Sequence, residues 1–437
     1  MKTFIILSLC IYFINARKET PDFINSIAKS TRKYTNNLVT ETHFAQTLDN
    51  VELKMFRFGK HEANEETRPV VFMQHGLGSS SDLWILTQNQ SLAYTLFDLG
   101  YDIWLGNFRG NQYSKNDTTI EAGDIILETS DFWDHSFYEM AVYDLPAQLN
   151  YVLNYTGAEK LHYFGHSMGT LTMFLALDLF SQDIQDEESD PRVLYENIQP
   201  ESYFDLSDKI HDFHAMGPVW NLKTTWATNS LVKFMNSDFG YFSIRHFIFR
   251  DLLYKLPFGV KPDAGLQSFY TKAIKAFSKI LGSEKISSFF GLHLDNYPQE
   301  FASEILTHGL QTTSFKNIYH FTELAHFNKL AKYGYQKGRD NCSWRERNFC
   351  FNCFECREKE ESRVFDLSGI QGIKLFIYSG GDDSLSNPQE GKNVMEATKD
   401  KNVVDYWEIP GIDHMGLCAD KKAPELIWPK IIERLQN

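Results

Sequence analysis

The pentapeptide Gly165-His166-Ser167-Met168-Gly169 sets a serine between two glycines. In this pattern a strand enters a helix through a turn too tight for side chains at either flank, and the serine hydroxyl is left exposed. The flanks fit: Leu161-His162-Tyr163-Phe164 is strand-like, and Thr170 to Phe180 is compatible with a helix. A serine hydroxyl is a poor nucleophile at neutral pH, so it needs a histidine to take its proton and a carboxylate to orient that histidine. On such a scaffold the acid and then the histidine follow the serine, each from a later strand end. Lys374 to Tyr378 leads into SGGDDSLSNP, which sets Asp382 and Asp383 behind two glycines, and Val403 to Ile409 leads into Pro410-Gly411-Ile412-Asp413-His414. Ser167, Asp383 and His414 thus have the order expected of nucleophile, orienting acid and general base. Taken singly, an Asp-Asp pair is more often a turn device, and His414 is one of 14 histidines; the joint occurrence carries the inference. His166 is expected to point away from the serine.

Attack on a carbonyl puts negative charge on its oxygen, and backbone N–H groups must be waiting for it. One would come from Met168, the residue after the nucleophile. The other would come from Leu77 in the loop Gln74-His75-Gly76-Leu77-Gly78, where Gly76 permits close backbone approach. No metal or cofactor is required for this chemistry.

These residues need a scaffold that delivers strand ends to one edge. Val70-Val71-Phe72-Met73, Asp102-Ile103-Trp104-Leu105, Leu161 to Phe164, Phe213-His214-Ala215-Met216, Leu375-Phe376-Ile377-Tyr378 and Val403 to Ile409 are short apolar runs, each followed by turn residues and a helical pattern. That alternation predicts an α/β fold with a mostly parallel central sheet covered by helices. Ahead of it, Val51 to Phe58 alternates cleanly and predicts a half-exposed antiparallel edge strand.

The rhythm breaks between Met216 and Leu375. The acidic stretch QDIQDEESD at 182–190 reads as a surface loop, and FGYFSIRHFIFRDLLYKL at 239–256 is apolar on nearly every side of a helix, so it must be covered or face something greasy. An inserted helical cap and an ordinary second domain are equally compatible with this composition. The expected layout is a leader at 1–16, core at 17–217, cap or lid at 218–369 and core again at 370–437.

The chain has 437 residues and a net charge of −14, the wrong field for phosphate backbones, so nucleic acid is not an expected partner. Lys2 followed by FIILSLCIYFI reads as a secretory signal peptide, too short to span a bilayer, and no later stretch approaches spanning length. Of the cysteines beyond it, Cys342, Cys350, Cys353, Cys356 and Cys418, three lie in CFNCFEC. That spacing raises zinc in a reducing compartment and disulfides in an oxidising one, and the secretory reading favours disulfides. Sequons at Asn89, Asn116, Asn154 and Asn341 agree with a glycosylated surface.

QHGLGSSSDLW at 74–84, YDIWLGNFRGNQYS at 101–114, DFWDHSFYEMAVYDLPAQLNYVL at 131–153 and YFGHSMGT at 163–170 together resemble the acid lipase family, which includes lysosomal acid lipase and gastric lipase. The combination of HGL, GN-x-RGN and EMA-x-YDLPA ahead of GHS-x-GT is far more specific than the serine motif alone. The likeness covers most of 35–180 and resumes at about 370–437. It implies an α/β-hydrolase with a helical cap, acting on neutral lipid esters, triacylglycerols or sterol esters, at a lipid–water interface, in the lysosome or outside the cell. By motif position it carries Ser167, Asp383 and His414 into the catalytic roles, with the Leu77 and Met168 amides as oxyanion donors, and it prefers Asp383 to Asp382. Met168 departs from the family's glutamine, and neither the acidic stretch nor CFNCFEC has a counterpart in it. Two alternatives stay open: an esterase or peptidase with the same triad but a soluble substrate, and a non-catalytic lipid-binding protein on the hydrolase fold.

Overall fold

The computed structural model describes residues 38–60, 68–117, 131–180, 206–222, 257–258, 297, 311–331, 333 and 364–436. The leader, the acidic stretch at 182–190, the apolar stretch at 239–256 and the CFNCFEC cluster all lie outside the described residues.

Among the described residues one sheet has eight main strands: β1 (Leu38–Gln46), β2 (Val51–Lys60), β3 (Val70–Gln74), β4 (Asp102–Leu105), β5 (Leu161–His166), β6 (Ile210–Met216), β7 (Lys374–Gly380) and β8 (Val403–Ile409). Their spatial order is β1-β2-β4-β3-β5-β6-β7-β8. β1 and β2 form an antiparallel hairpin from Leu38↔Lys60 to Gln46↔Glu52, and β2 runs antiparallel to β4. From β4 onward every pairing is parallel. A two-residue strand, Asn116–Asp117, adds to the start of β2.

The apolar runs predicted as strands form β3 to β8, with β4 and β8 at the expected bounds. The expected edge strand, Val51 to Phe58, is antiparallel but not at the edge, because β1 pairs along its whole length. β1 reads LVTETHFAQ, too polar to stand out in sequence. With β1 capping its edge, β2 is an inner strand, and its faces are buried from Met55 to Phe58 as Met55 joins one core cluster and Phe56 and Phe58 the other.

The strands split the core by parity. Val70, Phe72, Trp104, Tyr163, Phe213, Leu375 and Ile377 face one side, under α2 (Leu145–Thr156), α3 (Met168–Leu179) and Val394 of α5 (Pro388–Thr398). Val71, Met73, Ile103, Leu105, Phe164, Met216 and Tyr378 face the other, under α1 (Leu92–Asp98) and α6 (Trp428–Leu435). A sheet buried on both faces needs near-continuous apolar strands, and β3, β4 and β5 are buried at every position.

Of residues 223–363, only short pieces are described, the longest running from 311 to 331 and containing α4 (Phe315–Phe327). This piece is bound to the carboxyl-end loops of the sheet. Gln311 N donates to Gly78 O at 2.6 Å, Thr312 Oγ1 to Gly110 O at 2.5 Å, and the Ser314 hydroxyl to the His135 carbonyl. Asn317 Oδ1 accepts from Phe137 N at 2.9 Å.

Candidate active site

The serine sits where β5 turns into α3, with φ 53° and ψ −116°. Few non-glycine residues tolerate a left-handed φ, so such strain points to a site that the surroundings hold in place. The flanking glycines are sterically required: a Cβ on Gly165 would meet Gly169 O at 2.8 Å, and one on Gly169 would meet Gln74 O at 2.6 Å. The turn is tied to its neighbour strand by Ser167 N donating to Met216 O at 3.0 Å. α3 begins at Met168, whose amide belongs to the first helical turn, where N–H groups lack intrahelical acceptors.

The loop after β3 lies directly against the serine, since a Cβ on Gly76 would come 2.9 Å from Ser167 Cβ. This places the Leu77 region beside the turn. His75 underpins the loop: its Nε2 accepts from Phe108 N at 3.1 Å, so Nδ1 carries the proton and donates to Gly76 O at 2.8 Å. Burial pushes the His75 pKa down to about 4, which keeps the ring neutral and the bond pattern fixed near neutral pH.

Asp383 follows β7 and His414 follows β8, both buried. His414 Nδ1 and Asp383 Oδ2 are 2.7 Å apart. The other carboxylate oxygen, Oδ1, accepts from Leu385 N at 2.8 Å and Ser386 N at 2.7 Å, which leaves Oδ2 for the imidazole. Asp382 is exposed, with its amide bonded to Ile412 O. The His414 ring rests on Gly217, where a Cβ would stand 3.0 Å from Cε1, and Gly217 directly follows the Met216 that binds the serine turn.

His166, the residue before the serine, has a partner that sequence reasoning missed. Its Nε2 donates to the His414 carbonyl at 3.0 Å, and the two rings stand 4.7 Å apart. Burial first and the neighbouring His414 second push the His166 pKa down to about 3, so it is a neutral donor. On the far side, Asp413 Oδ1 takes the Gly416 amide at 2.7 Å and the hydroxyl of the buried Tyr297, a described residue of the 223–310 interval. The Met168 side chain is also engaged, with Asn317 Nδ2 of α4 3.4 Å from its sulfur.

The signature segments around the serine prove to be the frame below it. Arg109 N and Nε both donate to Asp144, at 2.9 and 2.6 Å, and its Nη atoms reach Asp49 at 2.5 and 2.8 Å. Asp144 ends a π-helical turn, Met140–Asp144, just before α2. Asn107 N donates to Gln148 Oε1 at 3.0 Å, and Asn107 Oδ1 receives Ser81 N and Asn111 Nδ2. Thus GN-x-RGN and YDLPA are two halves of one buried polar lattice that fixes the loops around Gly76.

Such a sheet order, with the serine elbow after β5 and the acid and histidine after β7 and β8, defines an α/β-hydrolase. Residues 69–186 match the family model described as alpha/beta hydrolase fold, and residues 33–88 match that of the partial alpha/beta-hydrolase lipase region. Within that class the chain is similar to lipases of the gastric type. It is 26% identical over 391 residues to gastric triacylglycerol lipase of Homo sapiens, covering 89% of this chain and 85% of the relative. Against the Bos taurus gastric triacylglycerol lipase it is 27% identical over 447 residues, covering 98% and 97%, and against lipase member N of Homo sapiens 28% over 381 residues, covering 85% and 81%.

Proposed function

We propose that the protein is a serine hydrolase that cleaves carboxylic esters of neutral lipids through an acyl-enzyme. The observation that carries this reading is the pairing of a strained serine elbow, φ 53° at Ser167, with a buried imidazole–carboxylate pair, His414 and Asp383, bonded to the residue before that serine. Its homologues include enzymes named for triacylglycerol hydrolysis.

In this mechanism Ser167 attacks the ester carbonyl as His414 takes the hydroxyl proton on Nε2. Asp383 holds the proton on Nδ1 and stabilises the imidazolium. The Leu77 and Met168 amides receive the oxyanion, and the proton on His414 then leaves with the alcohol. Water, activated by the same histidine, releases the fatty acid and restores the serine.

The segment 218–369 acts as the cap. This assignment is supported by the bonds from 311–317 to the Gly78, Gly110 and His135 carbonyls, and by Tyr297 on Asp413. The protein travels the secretory route to the lysosome or the exterior. The basic, apolar N-terminus supports that route, as do the exposed sequon asparagines Asn89 and Asn154, and among the described residues no helix is long and apolar enough to cross a membrane.

Ser167→Ala should lose at least about three orders of magnitude of ester turnover with an unchanged melting profile. It should also lose labelling by a serine-directed phosphonate. Retained turnover in a folded mutant would remove the assignment. A long-chain triacylglycerol emulsion compared with a short soluble ester tests the substrate class, and preference for the soluble ester would point to a plain esterase.

A further inference from the structure

The opposite end of the sheet from the serine holds a cluster of side chains that ester hydrolysis does not use. Asp212 lies near the start of β6 and is 1% exposed. His162 Nδ1 is 2.8 Å from its Oδ2, and His211 Nδ1 is 3.0 Å from the same oxygen. His214 Nε2 lies 3.2 Å from Oδ1, and the other nitrogen of that ring is 2.9 Å from the Tyr378 hydroxyl. Among the described residues no lysine or arginine pairs with Asp212, and the side chains within hydrogen-bonding reach of this buried carboxylate are imidazoles.

The backbone is shaped to bring them together. Consecutive strand residues ordinarily point to opposite faces, so His211 and Asp212 should diverge. The β5–β6 ladder instead slips by one residue: Leu161 pairs with Ile210, His162 with Asp212, and His211 is the extra residue between. A bulge of this kind re-aims a side chain. It delivers the His211 Nδ1 to the carboxylate already flanked by His162, and the three donor atoms lie within 4.8 Å of one another.

From this arrangement we infer a divalent transition-metal site, of the class that takes zinc, with His162 Nδ1, His211 Nδ1 and Asp212 Oδ2 as ligands and a water as the fourth. Donors 2.0 to 2.2 Å from a tetrahedral ion stand about 3.3 Å apart, so the 2.8 and 3.0 Å nitrogen–oxygen separations need open by only a few tenths of an ångström, and the two Nδ1 atoms, within 4.8 Å of each other, must settle at a similar spacing. Two imidazoles and one carboxylate are a zinc-type donor set, and the half-exposed His211 leaves room for a water. The protons balance. Each Nδ1–H that now faces Asp212 moves to the Nε2 of the same ring when the ion binds, and neither Nε2 is committed to a protein acceptor among the described residues. His214 sits behind the carboxylate, where outer groups orient ligands. His162 and Ser167 are five strand positions apart, about 16 Å, so the ion braces the β5–β6 seam and takes no part in hydrolysis.

The test uses the full-length protein, stripped by chelator and titrated with zinc sulfate, alongside His211→Ala, a change at a residue exposed enough to leave folding intact. Wild type should bind one zinc per chain with submicromolar affinity and melt at a higher temperature when loaded. His211→Ala should bind at least tenfold more weakly and show no zinc-dependent rise. Turnover of a soluble ester should be the same for both, loaded or stripped. Absence of stoichiometric binding at micromolar zinc would overturn the inference. So would equal affinity in wild type and His211→Ala, which would place any bound zinc elsewhere, such as on His414.

Discussion

Replacing Asp383 by asparagine isolates the role of the carboxylate from that of the fold. The Oδ1 position accepts two backbone amides, from Leu385 at 2.8 Å and Ser386 at 2.7 Å, so the asparagine must put its carbonyl oxygen there. The opposite flip would aim an NH2 at two N–H donors. The amide nitrogen then occupies the Oδ2 position, 2.7 Å from His414 Nδ1, and presents a hydrogen to it. His414 must answer with a lone pair at Nδ1, which moves its proton to Nε2, the atom that has to receive the Ser167 proton. The substitution thus preserves every backbone bond while imposing the wrong tautomer. A tautomer error of this sort costs about four orders of magnitude in kcat, about 5 kcal/mol of barrier. Steady-state hydrolysis of a p-nitrophenyl ester, with thermal unfolding measured in parallel, reads both halves of the claim. Asp383→Asn should melt near wild type and turn over about 10⁴-fold more slowly, whereas Asp382→Asn, on an exposed side chain, should stay within about twofold. Should Asp383→Asn retain a tenth or more of wild-type kcat, the orienting role would be refuted.

Other outcomes follow from the frame around the site. Arg109→Ala leaves Asp144, whose side chain is 0% exposed, without its cation, and should cost about 3–5 kcal/mol in a urea titration; a loss under 1 kcal/mol would show that the lattice is not structural. Gly76→Ala puts a methyl 2.9 Å from Ser167 Cβ and should cut kcat about 10²-fold by displacing the Leu77 amide, with a smaller effect on unfolding; unchanged kcat would remove Leu77 from the oxyanion site. Glu139 tests pH linkage. Burial raises its pKa, but Lys316 and Ser136 outweigh that and hold it at about 2 instead of 4.5. A depressed carboxyl pKa gives stability that is complete above pH 4.5 and lost as pH falls through 2, here about 3 kcal/mol. The stability gap between wild type and Glu139→Gln should therefore be widest above pH 5 and close towards pH 2, and a gap that does not change with pH would contradict the ion-pair origin.

The strands that carry chemistry were readable because a sheet covered on both faces forces uninterrupted apolar runs, as in VVFMQ and LHYFGH. β1 was not, because LVTETHFAQ lies at a margin where one face meets water, and missing it put β2 at the edge. The order of Ser167, Asp383 and His414 could be read from strand ends alone. The choice between Asp382 and Asp383 could not, since it depends on which carboxylate the turn after Gly380 directs inward. The partner of His166 escaped notice because it is a backbone carbonyl 248 residues away, and no side-chain pattern records that. The His162, His211 and Asp212 cluster was hidden for a similar reason: a one-residue slip between neighbouring strands brings it together, and no short motif encodes the slip.

The seating of His414 against the serine turn has a consequence for the life history of the molecule. β7, β8 and the loop after them are the last pieces of the sheet in chain order, more than 200 residues after the serine turn. During synthesis, then, Ser167 emerges long before Asp383 and His414, the residues proposed to activate it. A nascent chain that holds the elbow but not yet β7 and β8 has no imidazole–carboxylate pair to set beside it, so on the proposed mechanism it is inert until the sheet is complete.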